Sequence, residues 1–391
     1  MSHPKLLQRI AELVALPSVS SVQATLDQSN LAVIERLAEW AESLGFRCEV
    51  LPVPGADGHY NLIASMGSGP GGLVLAGHTD TVPCNPELWS GDPWQMNERD
   101  GRLYGLGTSD MKAFLALALE AVQQMPLRRL SAPLTLLATA DEESSMSGAR
   151  ALVAAGKPRA SYAVIGEPTG LRPVYSHKGM FMEALRIEGR AGHSSDPSLG
   201  ANALEGMHRV LGEMLRWRDE LQQRYRDPQF KLPVATLNPG SIHGGDNPNR
   251  ICGSCELQYD LRILPGMDYA ELHAELQQRL TASLANSQLS LHFRPLMEPI
   301  PAMRTNPESA IVRAAEQLTG HRAESVAFGT EAPFLNALGM DTIVLGPGDI
   351  DQAHQPDEFL SLDRLGPTVT LLKDLIQRFC LQPAPEKAAV K

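Results

Sequence analysis

The stretch Leu134–Gly148, LTLLATADEESSMSG, decides the fold class. Apart from Thr135 and Thr139, Leu134–Ala140 is apolar, and it is shorter than the ~10–12 residues a helix needs. A strand without alternation has both faces covered, the habit of parallel sheets packed between helices. Directly after it comes an acidic cluster, Asp141–Glu142–Glu143, and then a helical pattern from Ser147. Outward from this stretch the same grammar repeats. Extended runs are expected at Cys48–Val53, Asn61–Met66, Leu73–Ala76, Tyr162–Gly166 and Thr342–Gly346. Helices are expected at Leu31–Leu44, from Met111, at Glu308–Leu318 and around Leu365–Phe379. The fold class is therefore α/β, with a mixed, mainly parallel sheet covered by helices.

Near Lys178 the pattern changes. MFMEALRIEGR alternates like a half-buried strand, Ala201–Arg224 reads as a long helix, Ile251–Leu264 as another strand and Tyr269–Leu284 as a second helix. Two strand–helix units in succession describe a small α+β domain inserted into the larger one. The expected division is 1–178 and 293–391 for the larger domain and 179–292 for the insertion. The tail QPAPEKAAVK is polar and is expected to fray.

Composition removes several function classes. The net charge of −11 and the lack of a basic block argue against a nucleic-acid partner. No run approaches the ~20 apolar residues of a membrane span; Ala113–Leu119 stops at Glu120. Five scattered cysteines do not form a disulfide framework, and a reducing, cytoplasmic location is expected. Cys252 and Cys255 lack a second pair to complete a zinc ribbon and are read as packing residues in the Ile251–Leu264 strand, on opposite faces.

The chemistry gathers where apolar strands end. In LVLAGHTDTVP, His78 and Asp80 leave one face of a strand, and a carboxylate so placed can accept the second ring N–H of a metal-bound imidazole. Alone, the pair is equally a capping His and a turn Asp. In YGLGTSDMKAF, Gly105 and Gly107 form a tight turn and Asp110 precedes a helix, where an N-cap is the plain alternative. A dinucleotide fingerprint fails there for want of its third glycine. Glu142 and Glu143, Glu167 in VIGEPTG, and His354 in DQAHQPDEF each have a surface or cap reading when taken singly. Together they place imidazoles and carboxylates repeatedly at strand ends, a donor set for zinc or a similar divalent ion. There are more ligands than one tetrahedral site uses, so two metals sharing a carboxylate is the natural count.

GHTDTVP, GLGTSDMKAF, TADEESSMSGA, IGEPT and AHQPDEF, in this order, resemble the metal-site motifs of the dizinc aminoacylase/carboxypeptidase family. The resemblance implies that His78 and Glu167 hold one metal, Glu143 and His354 the other, and Asp110 bridges; zinc is expected, with cobalt as the substitute. It further implies Glu142 as general base and Asp80 as the residue orienting His78. GRAGHSSDP resembles the family's lid segment, so His193 is expected to reach the partner subunit's active site in a homodimer. HGGDNPNRICGSC resembles its substrate loop, with Asn247 and Arg250 facing a small N-acyl amino acid. FGTEAPFL resembles the loop of members that hydrolyse N2-acetyl-L-ornithine, with Glu331 set to meet the cationic amine; an N-cap is the alternative. Removal of that acetyl group is the expected activity. The other readings are a desuccinylase or N-acyl amino-acid deacylase of the same family, a metal-binding scaffold with a vestigial site, and a nicotinamide oxidoreductase.

Overall fold

The computed structural model describes residues 4–381. The chain forms two compact units. Of the described residues, one contains 4–175, Thr305–Glu324 and 330–381; the other is Ser176–Arg304 with Ser325–Gly329.

At the centre of the first unit, Leu73–His78 lies parallel to Leu134–Thr139 on one side and Tyr162–Ile165 on the other. Asp341–Val344 continues the parallel set beside Tyr162–Ile165. The hairpin of Arg47–Pro52 and Tyr60–Met66 joins antiparallel to Leu134–Thr139, which makes the sheet mixed. Every residue of Leu73–His78 and of Leu134–Thr139 is buried, as an apolar run without alternation requires. The helix Lys112–Gln123 is buried on nearly all sides, and Leu6, Ile10 and Leu13 of the helix Pro4–Val14 share its core.

Register sets the site. Ala76 pairs with Ile165 and His78 with Thr139, so residues just past these strands emerge at one level. That level is the carboxyl end of the parallel strands, where open α/β sheets place their ligands.

The second unit is built on an antiparallel sheet in the order Thr236–Gly244, Ser254–Ile263, Gly179–Glu188, Ser290–Pro295. Ser254–Ile263 alternates strictly between buried and half-buried positions, and the helix Ala203–Arg224 packs on the sheet and against the helix Tyr269–Ser283. The return expected at residue 293 falls inside Ser290–Pro295, whose pairing with Gly179–Glu188 keeps it in this unit; the chain leaves it after Arg304. Cys252 precedes the Ser254–Ile263 strand instead of lying in it, and both Cys252 and Cys255 pack into the core of this unit. All five cysteines are free thiols. No helix among the described residues is long and apolar enough to cross a membrane. The tail expected to fray, 382–391, lies outside the described residues.

Candidate metal centre and catalytic site

Beyond the parallel strands the first unit gathers carboxylates around two imidazoles. His78 is fully buried at the end of Leu73–His78, and its Nε2 lies 3.1 Å from Asp110 Oδ1 and 3.8 Å from Glu167 Oε1. His354, exposed and in the left-handed region at φ 60°, brings Nε2 to 3.0 Å from Glu143 Oε2 and 3.6 Å from Asp110 Oδ2. The two oxygens of Asp110 thus face different histidines, the arrangement of a bridging carboxylate. Ligand atoms of His78, Asp110 and Glu143 all lie within 4.8 Å of one another, as do those of His78, Glu142 and Glu167. Adjacent glutamates therefore serve two different clusters.

The electrostatics of this group call for a cation. Burial first, then repulsion from Glu167, raises Glu142 well above the usual carboxylate range. Burial and then Asp110 do the same to Glu167. For Asp110, burial works toward the neutral acid, but the hydrogen bond to His78 holds it below its ordinary value. Buried oxygens of Glu167, Asp80 and Glu331 have no hydrogen-bond partner. An unpaired buried carboxylate oxygen is costly unless it coordinates a metal or meets a charge. Carboxylates and imidazoles at these separations fit a divalent ion such as zinc.

Asp80 differs from its expected role. His78 Nδ1–H donates to the main-chain carbonyl of Asp80 at 2.9 Å, while the nearer carboxylate oxygen is 3.7 Å away. The Asp80 carboxylate instead accepts the Glu143 backbone N–H at 3.0 Å. Asp80 thus fixes the His78 tautomer through its backbone and anchors the glutamate loop through its side chain.

Glu331 is fully buried in this unit, directly before the helix Ala332–Ala337, and its side chain makes no capping bond. The Ala332 N–H donates to Thr330 Oγ1 instead, so Glu331 occupies the N-cap position without its carboxylate capping the helix. Burial pushes the Glu331 carboxyl up to about 7, and His78 and Asp80 lie within reach of its charge.

Two supporting residues escaped the sequence reading. Glu358 is buried four positions after His354, and its oxygens accept the backbone N–H groups of Gly107 (3.0 Å), Ser109 (2.7 Å) and Asp110 (2.9 Å). It ties the loop carrying His354 to the turn that presents Asp110. That turn needs glycine at 107, where φ is +82° and a Cβ would meet Lys112 at 3.1 Å. Lys112 itself is buried and donates Nζ to the carbonyl of Leu16 at 2.7 Å, closing the N-terminal helix against the turn. The visible signal for Glu358 was its place in AHQPDEF, but nothing in a single sequence marks an acidic side chain as an acceptor of backbone N–H groups.

His193, Asn247 and Arg250 belong to the second unit. His193 and Arg250 face each other across an antiparallel bridge. His193 Nδ1 accepts from the Ser195 N–H at 3.2 Å, so a neutral ring carries its proton on Nε2, as a hydrogen-bond donor. Arg250 pairs with Asp246 at 2.6 Å in solvent, and Asn247 Oδ1 accepts from the Asn249 N–H within the loop.

Comparison with known proteins agrees with this geometry. Residues 74–378 match the model of peptidase family M20/M25/M40. The acetylornithine deacetylase of Edwardsiella ictaluri is 49% identical over 96% of this chain and 98% of its own. That of Pasteurella multocida is 48% identical over the same shares. The fold superposes on an M20 family metallo-carboxypeptidase of Sulfolobus solfataricus with a TM-score of 0.75, covering 96% of this chain and 99% of that one at 18% identity. With a family match spanning most of its length and near-half identity to full-length relatives, the chain belongs to peptidase family M20/M25/M40.

Proposed function

We propose that this protein hydrolyses N2-acetyl-L-ornithine to acetate and L-ornithine, a step of arginine biosynthesis. The observation that carries the substrate assignment is near-half identity, across almost the full length of both chains, to proteins named acetylornithine deacetylase. The carboxylate–imidazole group supports the reaction class. His78 and Glu167 would hold one divalent ion, Glu143 and His354 a second, with Asp110 shared; zinc suits this donor set and cobalt can replace it. Bound there, such ions supply Lewis acidity toward water and toward an amide carbonyl.

The chain's own groups do the rest. Glu142 sits beside the His78–Glu167 pair and keeps partial solvent access, so it is placed to take a proton from water and return it to the leaving amine. Glu331, with its unpartnered oxygen, would meet the substrate's distal ammonium. Arg250 and Asn247 would address the substrate carboxylate. In a homodimer, His193 of the partner subunit would donate Nε2–H to the developing oxyanion, a bond that strengthens in the transition state. Free thiols and the absence of a membrane-crossing helix among the described residues accord with a cytoplasmic enzyme.

The test is amine release from N-acetylornithine, N-succinyl-diaminopimelate and N-acetylmethionine by the purified protein with added zinc or cobalt. Highest kcat/KM on N-acetylornithine is expected. Preference for the succinyl substrate would make the protein a desuccinylase of the same family, and no turnover of any of the three would remove the deacylase reading.

A further inference from the structure

The loop that carries the two glutamates is held from behind by a second buried histidine. Asp141, the residue before Glu142, is in the left-handed region at φ 59°, which a non-glycine residue adopts at a cost and keeps only when its surroundings dictate it. Those surroundings can be counted atom by atom. Asp141 Oδ1 accepts from Ser20 Oγ at 2.9 Å and lies 2.6 Å from His59 Nδ1. Oδ2 accepts from Ser147 Oγ at 2.5 Å, and the Asp141 carbonyl accepts from the N–H groups of Ser145 and Met146. On its far side, His59 Nε2 lies 3.0 Å from Asp27 Oδ2, and Asp27 Oδ1 accepts from the Ser21 N–H at 2.9 Å. His59 is 4% exposed. The ring is thus held between two carboxylates, with Nε2 in a hydrogen bond to Asp27 and Nδ1 in an ion-pair contact with Asp141, and the ligand atoms of the three residues lie within 4.8 Å of one another.

Next door, Asn61 Oδ1 accepts the Ala140 N–H at 3.1 Å while its Nδ2 donates to the Gly148 carbonyl at 2.9 Å. Both ends of the 140–148 turn are therefore pinned to the start of the strand Tyr60–Met66. The backbone turn at Asp141 is what allows neighbouring glutamates to diverge, Glu142 toward Glu167 and Glu143 toward Asp110 and His354.

We propose that His59, backed by Asp27, is a positioning residue: through Asp141 it sets the direction in which Glu142 faces the substrate. This rests on the reading of Glu142 as general base. His59 touches neither substrate nor metal, and its effect is on geometry, where a displacement of about 1 Å can cost ~10²-fold in rate.

The experiment uses the zinc-loaded protein and the variants His59→Ala, His59→Gln and Asp27→Asn, each also combined with Glu142→Gln. Read out are kcat, KM, zinc per chain and melting temperature. His59→Ala should lower kcat about 10- to 100-fold, with KM within about twofold and zinc content unchanged. His59→Gln, which keeps a donor for Asp141, should recover part of the loss, and Asp27→Asn should fall between them. Because His59 acts through Glu142, adding His59→Ala to Glu142→Gln should cost little more than Glu142→Gln alone. Should His59→Ala not fold, Asp27→Asn and His59→Gln carry the same comparison. Unchanged kcat in the folded variants, or losses that multiply with Glu142→Gln, would overturn the proposal. If Glu142→Gln by itself keeps its turnover, it is the base assignment that has failed, a separate result.

Discussion

His59 and His78 look alike at first: both are buried in the same unit, and each lies within 4 Å of two aspartates. The oxygens around them tell them apart. At His59, every oxygen of Asp27 and Asp141 has its own donor in Ser20, Ser21, Ser147 or the ring itself. At His78, carboxylates outnumber donors: Glu142, Glu167 and Glu331 crowd the same space, and Glu167 and Glu331 each keep a buried oxygen without a partner. A closed set of acceptors and donors is a clamp, and an excess of buried acceptor oxygens is a cation site. Residue type and spacing alone do not separate the two cases, since Asp–His–Asp is common to both.

The largest effect that would break this comparison is metal removal. Chelation followed by dialysis should abolish amide hydrolysis, and adding back zinc or cobalt should restore it, while the thermal stability carried by the His59 clamp persists. Activity that survives a verified loss of metal would put the chemistry elsewhere. Next in size is Glu142→Gln. It should cost ~10²–10⁴ in kcat, as loss of a general base does, and leave the metal content intact, since the proposed ligands are Glu143 and Glu167. A variant that loses metal but keeps its turnover per bound metal would reverse the roles of the two glutamates.

Smaller is Glu331→Gln, which keeps shape and removes charge. Catalytic efficiency should fall about tenfold for N-acetylornithine, the scale of one charged hydrogen bond, and less for N-acetylmethionine, which has no ammonium to meet. A proportional fall for both substrates would give Glu331 a structural role.

Smallest are two pH effects of opposite sign. The hydrogen bond to Asp141 pushes His59 up to about 9, so its stabilising contribution is complete below pH ~6.5 and fades as the pH rises through about 9. His177 has no carboxylate partner. Its Nδ1–H donates to the Lys178 carbonyl, and burial pushes it down to about 4. The unfolded chain takes up that proton first, so His177 lowers stability as the pH falls from ~6.5 toward about 4. Melting temperatures across pH should show the gap between wild type and His59→Gln narrowing above pH 8. The gap between wild type and His177→Asn should change only on the acid side. Parallel curves would contradict both assignments.

How much of this could be read in the sequence follows from the same contrast. The proposed ligands His78, Glu143 and Glu167 were legible because each follows an apolar strand, where a charged residue has few structural reasons to be, whereas Asp110 and His354 lie in turns and stood out only through the motif resemblance. Asp80 was legible as a supporting residue, but the choice between its carbonyl and its carboxylate is a matter of ångströms that spacing does not encode. His59 and Asp27 were invisible, and Glu358 was visible only as a member of AHQPDEF, since their partners are 82, 32 and about 250 positions away and only the fold brings them together. The strand Ser290–Pro295 was missed for a similar reason. It is an edge strand with no fully buried residue, so its pattern is weak, and its pairing partner begins with Gly179.

Metal content per chain tests the central contrast most directly. Wild-type protein, loaded with zinc and freed of excess, should hold two ions per chain by elemental analysis. His59→Gln should also hold two. His78→Ala and His354→Ala should each lose up to one, and Asp110→Ala should lose more than either because both sites share it. Loss of an ion in His59→Gln, or equal losses in the His78, His354 and Asp110 variants, would contradict the assignment of one cluster as a clamp and the other as a bridged two-metal centre.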